Sequence, residues 1–407
     1  MKQGVETRVV TVTLLRRILE EGAYSNIIIR TATKDLQRRD VLFVQRLLYT
    51  TIRYLDRIDR TIDARISRSI DDDVRAVLRV GVAEILFLDG DAYAAVDSAV
   101  EAVRIGGSPR ASGFVNGVLR NIARDGEEPL PDGPEGEALR LGVPPWLYED
   151  LVRAHGSDTA TAFLEASNQP TSVGVRRRRG EAPGEAIDGI EDAFHIENVV
   201  PFRDSIASGD LVVADPSSTA VAAALDPQPG DRVLDLAAAP GGKTLHLSDL
   251  LGGQGMIVGM DRNAGRLATA QRRLVRLGAD ARWVIGDATK PPFAQASFDR
   301  ILLDAPCTGL GTLRRRPEIR HRLRPESAAE AGHVQRQMLD AAISLLRPGG
   351  RLVYSVCTVT PEETADVVAG VDSHAPEGLP GSTIAGGILL APHVTGSDGM
   401  FVAVIDR

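Results

Sequence analysis

The 407-residue chain contains two cysteines, and each lies in a short run of residues that could support covalent chemistry. Cys307 belongs to the run DAPCTG (residues 304–309), and Cys357 belongs to the run YSVCT (residues 354–358). A thiolate is the strongest nucleophile among protein side chains. Two thiols beside a cofactor pocket would therefore permit covalent attack on a substrate and a separate release step.

Two other roles for these cysteines stay open at this point, that of a small buried apolar side chain and that of a disulfide partner. A structural disulfide is disfavoured, because the first eight residues lack the apolar stretch of a signal peptide. No apolar run approaches the roughly 18 residues that a membrane span requires. We therefore expect a cytoplasmic protein that makes no contact with a membrane.

Five short apolar segments in the second half of the chain end at or next to a polar residue and alternate with helical stretches. They are residues 232–236, 256–261, 282–287, 299–304 and 350–355. This pattern predicts a parallel sheet that is buried on both faces and binds ligands at the carboxyl ends of its strands. The expected fold class of this half is α/β, with the two cysteines following neighbouring strands.

A turn of small residues follows the first of these strands. The run VLDLAAAPGGKT (residues 233–244) indicates a strand, a tight turn and the start of a helix. Small side chains let the backbone approach a ligand closely, and a helix N-terminus favours a negatively charged group such as a carboxylate. The run is not a Walker sequence, which requires a glycine five positions before Gly242, where Ala237 stands, and it is not a G-x-G-x-x-G fingerprint.

Acidic residues recur at successive strand ends. Asp261 follows Asp235 by 26 positions and ends the second strand, where a carboxylate can accept both hydroxyl groups of a ribose. Asp287 ends the third strand, where it can meet the edge of an adenine. A single aspartate at a strand end is usually a turn or capping residue, whereas the repetition favours a nucleotide-like ligand.

The first 125 residues predict an all-helical domain, because apolar residues recur at steps of three and four. Examples are Leu48, Ile52, Leu55, Ile58, Ile62 and Ile66. Residues 126–142 form an acidic linker, whose run Gly126–Gly136 is too rich in proline and glycine to predict a helix. Residues 143–210 are predicted as a small α+β segment, and residues 211–407 as the α/β domain.

Charge is an unusual feature for a protein that would bind nucleic acid, because the net charge is −8 and the isoelectric point is near 5.5. The acidity is concentrated in residues 126–150, whereas the first 125 residues are slightly basic. Two basic runs, Arg176–Arg179 and the strip at residues 312–320, could contact phosphates or form a solvated surface. We hypothesise a basic stripe that joins them to the helical domain.

These motifs together resemble the Fmu/Sun branch of the RNA cytosine-C5 methyltransferases. The resemblance rests on residues 233–244, 304–309 and 354–363, with Asp261 and Asp287. The helical residues 1–125, which include the run VNGVLR at 115–120, resemble the NusB-like RNA-binding domain of that branch. The resemblance implies a Rossmann-like methyltransferase domain at the C-terminus and an RRM-like RNA-contacting segment at residues 143–210. It also implies S-adenosylmethionine as cofactor and small-subunit (16S) ribosomal RNA as substrate.

The resemblance also implies roles for individual residues. Cys357 would attack C6 of the base, Cys307 would assist the later elimination, and Asp304 would contact the N3/N4 edge of cytosine. The chemistry of the residues alone leaves open which cysteine attacks. The cofactor would be held by Ala237, Ala238, Ala239, Pro240, Gly241, Gly242, Lys243, Asp261, Asp287 and Asp304.

Three other functions are alternatives to this one. A DNA cytosine methyltransferase would use one Pro-Cys nucleophile, so Cys357 argues against it. A transfer-RNA cytosine methyltransferase is the nearest alternative, and the helical domain disfavours it by resemblance alone. An inert RNA-binding scaffold is disfavoured by the intact cysteines and cofactor turn. We expect a monomeric enzyme without a metal ion.

Overall fold

The computed structural model describes residues 4–170 and 172–407. Its helices are α1 (Val5–Glu20), α2 (Ser25–Ala32), α3 (Arg38–Arg53), α4 (Leu55–Asp63), α5 (Asp72–Phe87), α6 (Ala92–Ile105), α7 (Ser112–Asp125), α8 (Pro134–Leu141), α9 (Pro145–His155), α10 (Ser157–Asn168), α11 (Arg203–Ser208), α12 (Pro216–Ala224), α13 (Gly242–Leu251), α14 (Ala264–Arg276), α15 (Ser327–Leu345), α16 (Ala365–Val368) and α17 (Pro392–Thr395). Its strands are β1 (Val173–Arg177), β2 (Glu185–Ala186), β3 (Ala193–Ile196), β4 (Leu211–Val213), β5 (Arg232–Asp235), β6 (Met256–Asp261), β7 (Arg282–Ile285), β8 (Phe298–Asp304), β9 (Leu346–Val356), β10 (Ser382–Ile384), β11 (Gly387–Leu390) and β12 (Met400–Asp406).

The described chain divides into two compact units. The helical unit comprises the chain through Asn168 together with Arg315–Arg322, and the α/β unit comprises Gln169–Arg314 and Leu323–Arg407. The four-part domain division predicted from the sequence stays a prediction. Among the described residues, no helix has the length and apolar character needed to cross a membrane.

The helical unit is built as the apolar periodicity predicts, around a core that α1, α3, α5, α6 and α7 share. The apolar series from Leu48 to Ile62 is buried, but it belongs to two helices, because α3 ends at Arg53 and α4 begins at Leu55. The helix break at Tyr54 cannot be seen in the periodicity, since the apolar residues of both helices follow the same spacing.

Helix α8 lies inside the segment predicted as a linker. The proline- and glycine-rich composition predicts that Gly126–Gly136 contains no helix. This prediction is wrong for the last three of these residues, which begin α8. Pro134 takes the first helical position and Glu135 lies in the first turn, both of which favour a helix start. Ala138 and Leu141 are buried, so packing stabilises the helix despite its acidic composition.

Residues Arg315–Arg322 interrupt the α/β unit in the sequence and pack within the helical unit. The carboxylate of Glu318 accepts hydrogen bonds from the backbone N and the Oγ of Ser25, at 3.0 and 2.9 Å. Arg320 is completely buried and donates to the carbonyl of Gly142 at 2.8 Å and to Asn168 Oδ1 at 3.1 Å. Burial lowers the pKa of Arg320 to about 9. Arg320 is therefore neither the phosphate contact nor the solvated residue that the sequence left open.

We expect Arg320→Met to destabilise the helical unit, because the acceptors of Gly142 and Asn168 would stay buried without a donor. A buried polar group without a partner costs about 1–3 kcal/mol. Urea unfolding followed by circular dichroism measures the change. Arg153→Met is the control, since Arg153 is exposed and pairs with Asp150 on the surface; equal effects of the two substitutions would contradict the prediction.

A small antiparallel sheet opens the α/β unit, in the order β2-β3-β1-β4. It carries the run Arg176–Arg179, and these side chains are engaged within the protein. Arg176 and Arg178 both bind the carboxylate of Asp249, Arg177 pairs with Asp192, and Arg179 pairs with Asp210. Arg176 and Arg178 form neither the phosphate contact nor the solvated surface that the sequence left open, because their side chains are buried in these ion pairs. Charge counts along a sequence do not show which distant carboxylate neutralises a guanidinium.

The α/β unit is centred on an eight-stranded sheet with the order β10-β11-β12-β9-β8-β5-β6-β7. Strands β5 to β9 are parallel, as predicted. The central residues of β5, β6, β8 and β9 are buried, whereas the predicted burial on both faces is wrong for β7, which lies at the edge of the sheet and is only partly buried. Strands β10, β11 and β12 extend the sheet in antiparallel fashion. This extension was not predicted, because β10 and β11 are only three and four residues long.

Candidate active site

The two cysteines lie at the carboxyl edge of the large sheet, after two neighbouring parallel strands. In the register of β8 and β9, Asp304 lies opposite Ser355, so the chain leaves both strands at the same level. Cys307 and Cys357 follow, and their Sγ atoms are 3.3 Å apart. Both thiols are free and half-buried. The structure thus brings the two cysteines together, as their position after neighbouring strands predicts.

The contact between the two sulfur atoms makes the thiols unequal. The hydrogen bond from Cys307 lowers the pKa of the Cys357 thiol, although burial opposes the shift, and the charge of Lys243 acts in the same direction as the hydrogen bond. The same hydrogen bond, together with burial and negative charge nearby, raises the pKa of Cys307 well above its ordinary value. Cys357 is therefore the thiol that ionises first, which suits it to nucleophilic attack.

Asp304 ends β8 beside the thiols and is held from two sides. Its Oδ2 atom pairs with Lys243 Nζ at 2.8 Å, and its Oδ1 atom accepts a hydrogen bond from Ser355 Oγ at 2.9 Å. Burial disfavours the charge of Lys243, but the carboxylate of Asp304 outweighs it, by charge and by hydrogen bond, and raises the lysine's pKa. The pair fixes the orientation of the carboxylate beside the cysteines.

The turn after β5 has the geometry that its small residues predict. Gly241 caps the N-terminus of α13 with a φ of 89°, a conformation that favours glycine. A Cβ atom on Gly241 would lie 3.0 Å from side-chain atoms of Ala270 and Leu274, so close packing requires glycine as well. Around Gly242 the nearest atom that a Cβ would meet is Arg273 Nη1 at 3.8 Å. The first turn of α13 is therefore open to a ligand.

Asp235, at the end of β5, stabilises this turn by a buried side-chain hydrogen bond. Its side chain is buried, and its Oδ2 atom accepts a hydrogen bond from Thr244 Oγ1 at 2.7 Å. Burial raises the pKa of Asp235 to about 7, although the hydrogen bond from Thr244 opposes the shift. This carboxyl group links the end of β5 to the start of α13.

The two other predicted acidic residues lie at the same edge of the sheet: Asp261 ends β6, as predicted, whereas Asp287 follows β7 rather than ending it. Asp261 is buried, and its Oδ1 atom accepts a hydrogen bond from the backbone N of Asn263 at 2.8 Å. Asp287 lies two residues beyond β7, is exposed, and accepts hydrogen bonds from the backbone N and Oγ1 of Thr289, each at 2.8 Å. The hydrogen bond from the Thr289 backbone lowers the pKa of Asp287. Both carboxylates act as turn caps, and their contacts with a cofactor stay predictions.

The residues at this edge fit S-adenosylmethionine. The amides in the first turn of α13 have no partner within the helix and can receive a carboxylate, and the backbone around Gly242 leaves room for it. Asp261 places a carboxylate at the next strand end, where ribose hydroxyl groups can donate to it. The donors and acceptors thus match the ends of an amino-acid nucleoside.

One buried residue of the site was missed in the sequence. Glu363 lies six positions after Cys357, in the run TVTPEET (residues 358–364), and contacts both cysteine loops. The density of threonines around an acidic residue is a signal that could have indicated it. Its partner Thr308 lies 55 positions away, so periodicity and local motifs do not show the contact.

Comparison with known proteins places the chain in a family. A family model described as 16S rRNA methyltransferase RsmB/F matches residues 222–406, and the NusB family model matches residues 5–124. The chain is 31% identical to ribosomal RNA small subunit methyltransferase B of Erwinia tasmaniensis, over 99% of each chain. It is 30% identical to the protein of the same description from Vibrio cholerae, over 99% of this chain and 98% of the relative.

Solved structures share the fold of this chain. The crystal structure of PH0851 shares the fold over 100% of both chains, with a TM-score of 0.84 and 24% identity. A methyltransferase homolog protein from Pyrococcus horikoshii is 27% identical, with a TM-score of 0.55, over 67% of this chain and 97% of that one. By its identity to curated relatives over almost its full length, the chain belongs to the ribosomal RNA small subunit methyltransferase B family.

Proposed function

We propose that this protein transfers a methyl group from S-adenosylmethionine to C5 of a cytosine in 16S ribosomal RNA, through a covalent bond between Cys357 Sγ and C6 of the base. The observation that carries the proposal is the pair of thiols 3.3 Å apart, next to the carboxylate of Asp304 and at the sheet edge that bears the cofactor turn. The relatives described as ribosomal RNA small subunit methyltransferase B support the choice of substrate.

The need for a nucleophile follows from the chemistry of the base. Cytosine C5 is too weakly nucleophilic to displace a methyl group from a sulfonium unaided. Addition of a thiolate to C6 moves electron density to C5 and makes it enamine-like. Cys357 supplies this thiolate, because it ionises before Cys307. Bound S-adenosylmethionine supplies the electrophilic methyl group.

Asp304 stabilises the base while Cys357 is bonded to C6. Its carboxylate can accept hydrogen bonds from the N3/N4 edge, where N3 takes up a proton from water as the thiolate adds to C6 and returns it to water when the methylated base is released. Positive charge develops at this edge when the methyl group is transferred to C5. Lys243 and Ser355 hold this carboxylate in place. Since the oxygens are already oriented before the base arrives, little reorganisation is needed as the charge develops.

Release requires that the proton on C5 leaves. The thiolate of Cys307, or a base that it orients, accepts this proton; the C–H electron pair forms the C5–C6 double bond, and the C6–S bond breaks to return Cys357 as a thiolate. Once Cys357 is bonded to carbon, the hydrogen bond that chiefly raises the pKa of Cys307 is lost. The second thiol therefore becomes easier to ionise after the first has reacted.

The proposal is tested by methyl transfer from tritium-labelled S-adenosylmethionine to naked 16S rRNA, to small-subunit particles and to transfer RNA. We expect label in 5-methylcytidine after digestion of the ribosomal RNA to nucleosides. Label in another nucleoside would contradict the cytosine-C5 chemistry, and label confined to transfer RNA would contradict the substrate. Absence of label from all three RNAs would contradict the enzyme activity itself.

A further inference from the structure

We propose that Glu363 is a positioning residue, which holds the loop of Cys307 and the loop of Cys357 at their reacting separation and places a negative charge behind Cys307. The proposal rests on the proposed function for its meaning, but its geometry does not depend on the substrate. The motifs around the two cysteines assign no role to this residue.

The side chain of Glu363 binds both cysteine loops at once. It is completely buried at the end of a short 3-10 turn, Pro361–Glu363. Its Oε1 atom accepts a hydrogen bond from the backbone N of Thr308 at 2.8 Å, and its Oε2 atom accepts one from Thr358 Oγ1 at 3.1 Å. Thr308 directly follows Cys307, and Thr358 directly follows Cys357. One carboxylate therefore spans the two residues that fix where the thiols point.

Further donors fill the remaining acceptor sites of the carboxylate. Thr308 Oγ1 and Thr360 Oγ1 donate to Oε2, and Gln335 Nε2 donates to Oε1 at 3.0 Å. An ionised carboxylate accepts at about four lone-pair sites, so these donors saturate it. No ion pair forms at Glu363 in the part of the chain that the structure describes. Its negative charge is stabilised by neutral donors alone and acts on its surroundings.

That charge acts unequally on the two thiols. The hydrogen bond to Cys357 and burial are the main causes that raise the pKa of Cys307, and the charges of Glu363 and Asp304 raise it further. The pKa of Cys357 is lowered chiefly by the hydrogen bond from Cys307, with Lys243 in support. The position of Glu363 thus favours the arrangement in which Cys307 keeps its proton and Cys357 is the thiolate.

A second layer of hydrogen bonds fixes Glu363 from behind. Gln335 Nε2, on α15, also donates to the carbonyl of Pro306 at 2.9 Å. The hydroxyl group of Tyr354 shares its single proton between two acceptors, Gln335 Oε1 at 3.0 Å and the carbonyl oxygen of Glu363 at 2.7 Å. Both ends of the glutamate are therefore held by rigid elements, as expected for a residue that must keep two loops in register.

The test compares Glu363→Gln with Glu362→Gln, the same substitution at the preceding exposed residue. In the full-length protein, the rate of iodoacetamide alkylation of each cysteine is measured from pH 6 to 10 by mass spectrometry. Loss of the charge at Glu363 should shift the alkylation profile of Cys307 to lower pH. Glu362→Gln should leave both profiles as in the unsubstituted protein. Unchanged profiles in folded Glu363→Gln would overturn the proposal.

A second measurement reports the separation of the loops. Diamide oxidises two neighbouring thiols to a disulfide, and the rate depends on their approach. We expect slower disulfide formation in Thr358→Val, which keeps the side-chain shape but removes one donor to Glu363. This variant also carries the test should Glu363→Gln fail to fold. An unchanged rate in Thr358→Val, or an equal decrease in Glu362→Gln, would contradict the positioning role.

Turnover separates positioning from substrate binding. Glu363→Gln is expected to lower kcat for methyl transfer by about 10- to 100-fold, since a small misplacement of reacting groups has an effect of this size, while KM for RNA changes little. The alkylation and oxidation rates need no RNA or cofactor. If the alkylation and oxidation rates change as expected but no variant transfers methyl groups, the proposed function is contradicted. If these rates change in Glu363→Gln without the expected loss of kcat, the positioning role of Glu363 is contradicted.

Discussion

Cys307→Ala should accumulate a stable covalent complex between the protein and 16S rRNA, whereas Cys357→Ala should form none and lose methyl transfer by at least about 10⁴-fold. The first variant keeps the thiol that ionises first, so attack on C6 proceeds, but the group that assists release of the C5 proton is gone. The second variant lacks the nucleophile. Denaturing gel electrophoresis with labelled RNA measures the complex, and tritium transfer measures the rate.

Removal of Cys307 also removes a hydrogen bond that lowers the pKa of Cys357. The variant should therefore form its complex faster as the pH rises, because more of the Cys357 thiol is then ionised. The double variant Cys307→Ala/Cys357→Ala is the control and should form no complex. A complex in Cys357→Ala but not in Cys307→Ala would reverse the assigned roles.

Asp304→Asn should lower kcat for methyl transfer by about 10²- to 10³-fold, the effect typical of losing a preorganised group that stabilises a developing charge. The substitution removes the negative charge beside the base edge and leaves Lys243 without its ion-pair partner. It also removes the main influence that raises the pKa of Lys243, so the lysine should lose its proton at lower pH. Single-turnover kinetics with 16S rRNA measures the rate.

Asp299→Asn is the matched control, because Asp299 lies at the opposite end of the same strand and pairs with Arg347. It should reduce stability slightly and leave the single-turnover rate within about twofold. A rate loss in Asp304→Asn that is matched by Asp299→Asn would mean that strand β8 has been disturbed. A full rate in Asp304→Asn would contradict the role of the carboxylate.

Much of the site could be predicted because its residues come directly after strands. Asp261, Asp304 and the two cysteines lie where the chain leaves a parallel sheet, and parallel strands gather their carboxyl ends at one edge. Local sequence therefore carried three-dimensional information. The same reasoning predicted the open turn before α13, since glycine at position 241 meets a positive φ and close packing together.

The features that were missed depend on partners far away in the chain. Arg176 and Arg178 look like a basic surface until Asp249 is found beside them. Glu363 looks like an ordinary loop residue until Thr308 is found on it. In each case the role of the residue depends on the burial of its charge and on the partner that the charge meets. The spacing of residues in the sequence shows neither.

The packing of Arg315–Arg322 within the helical unit bears on the order in which the protein is made. During synthesis the residues through Asn168 leave the ribosome well before Glu318 and Arg320, which bind Ser25 and Gly142. At about 5–20 residues per second, the delay is on the order of ten to thirty seconds. Over this interval the newly made helices lack two of their buried hydrogen-bonding partners. The helical unit, although it is translated first, is therefore complete only after residue 320 has been synthesised.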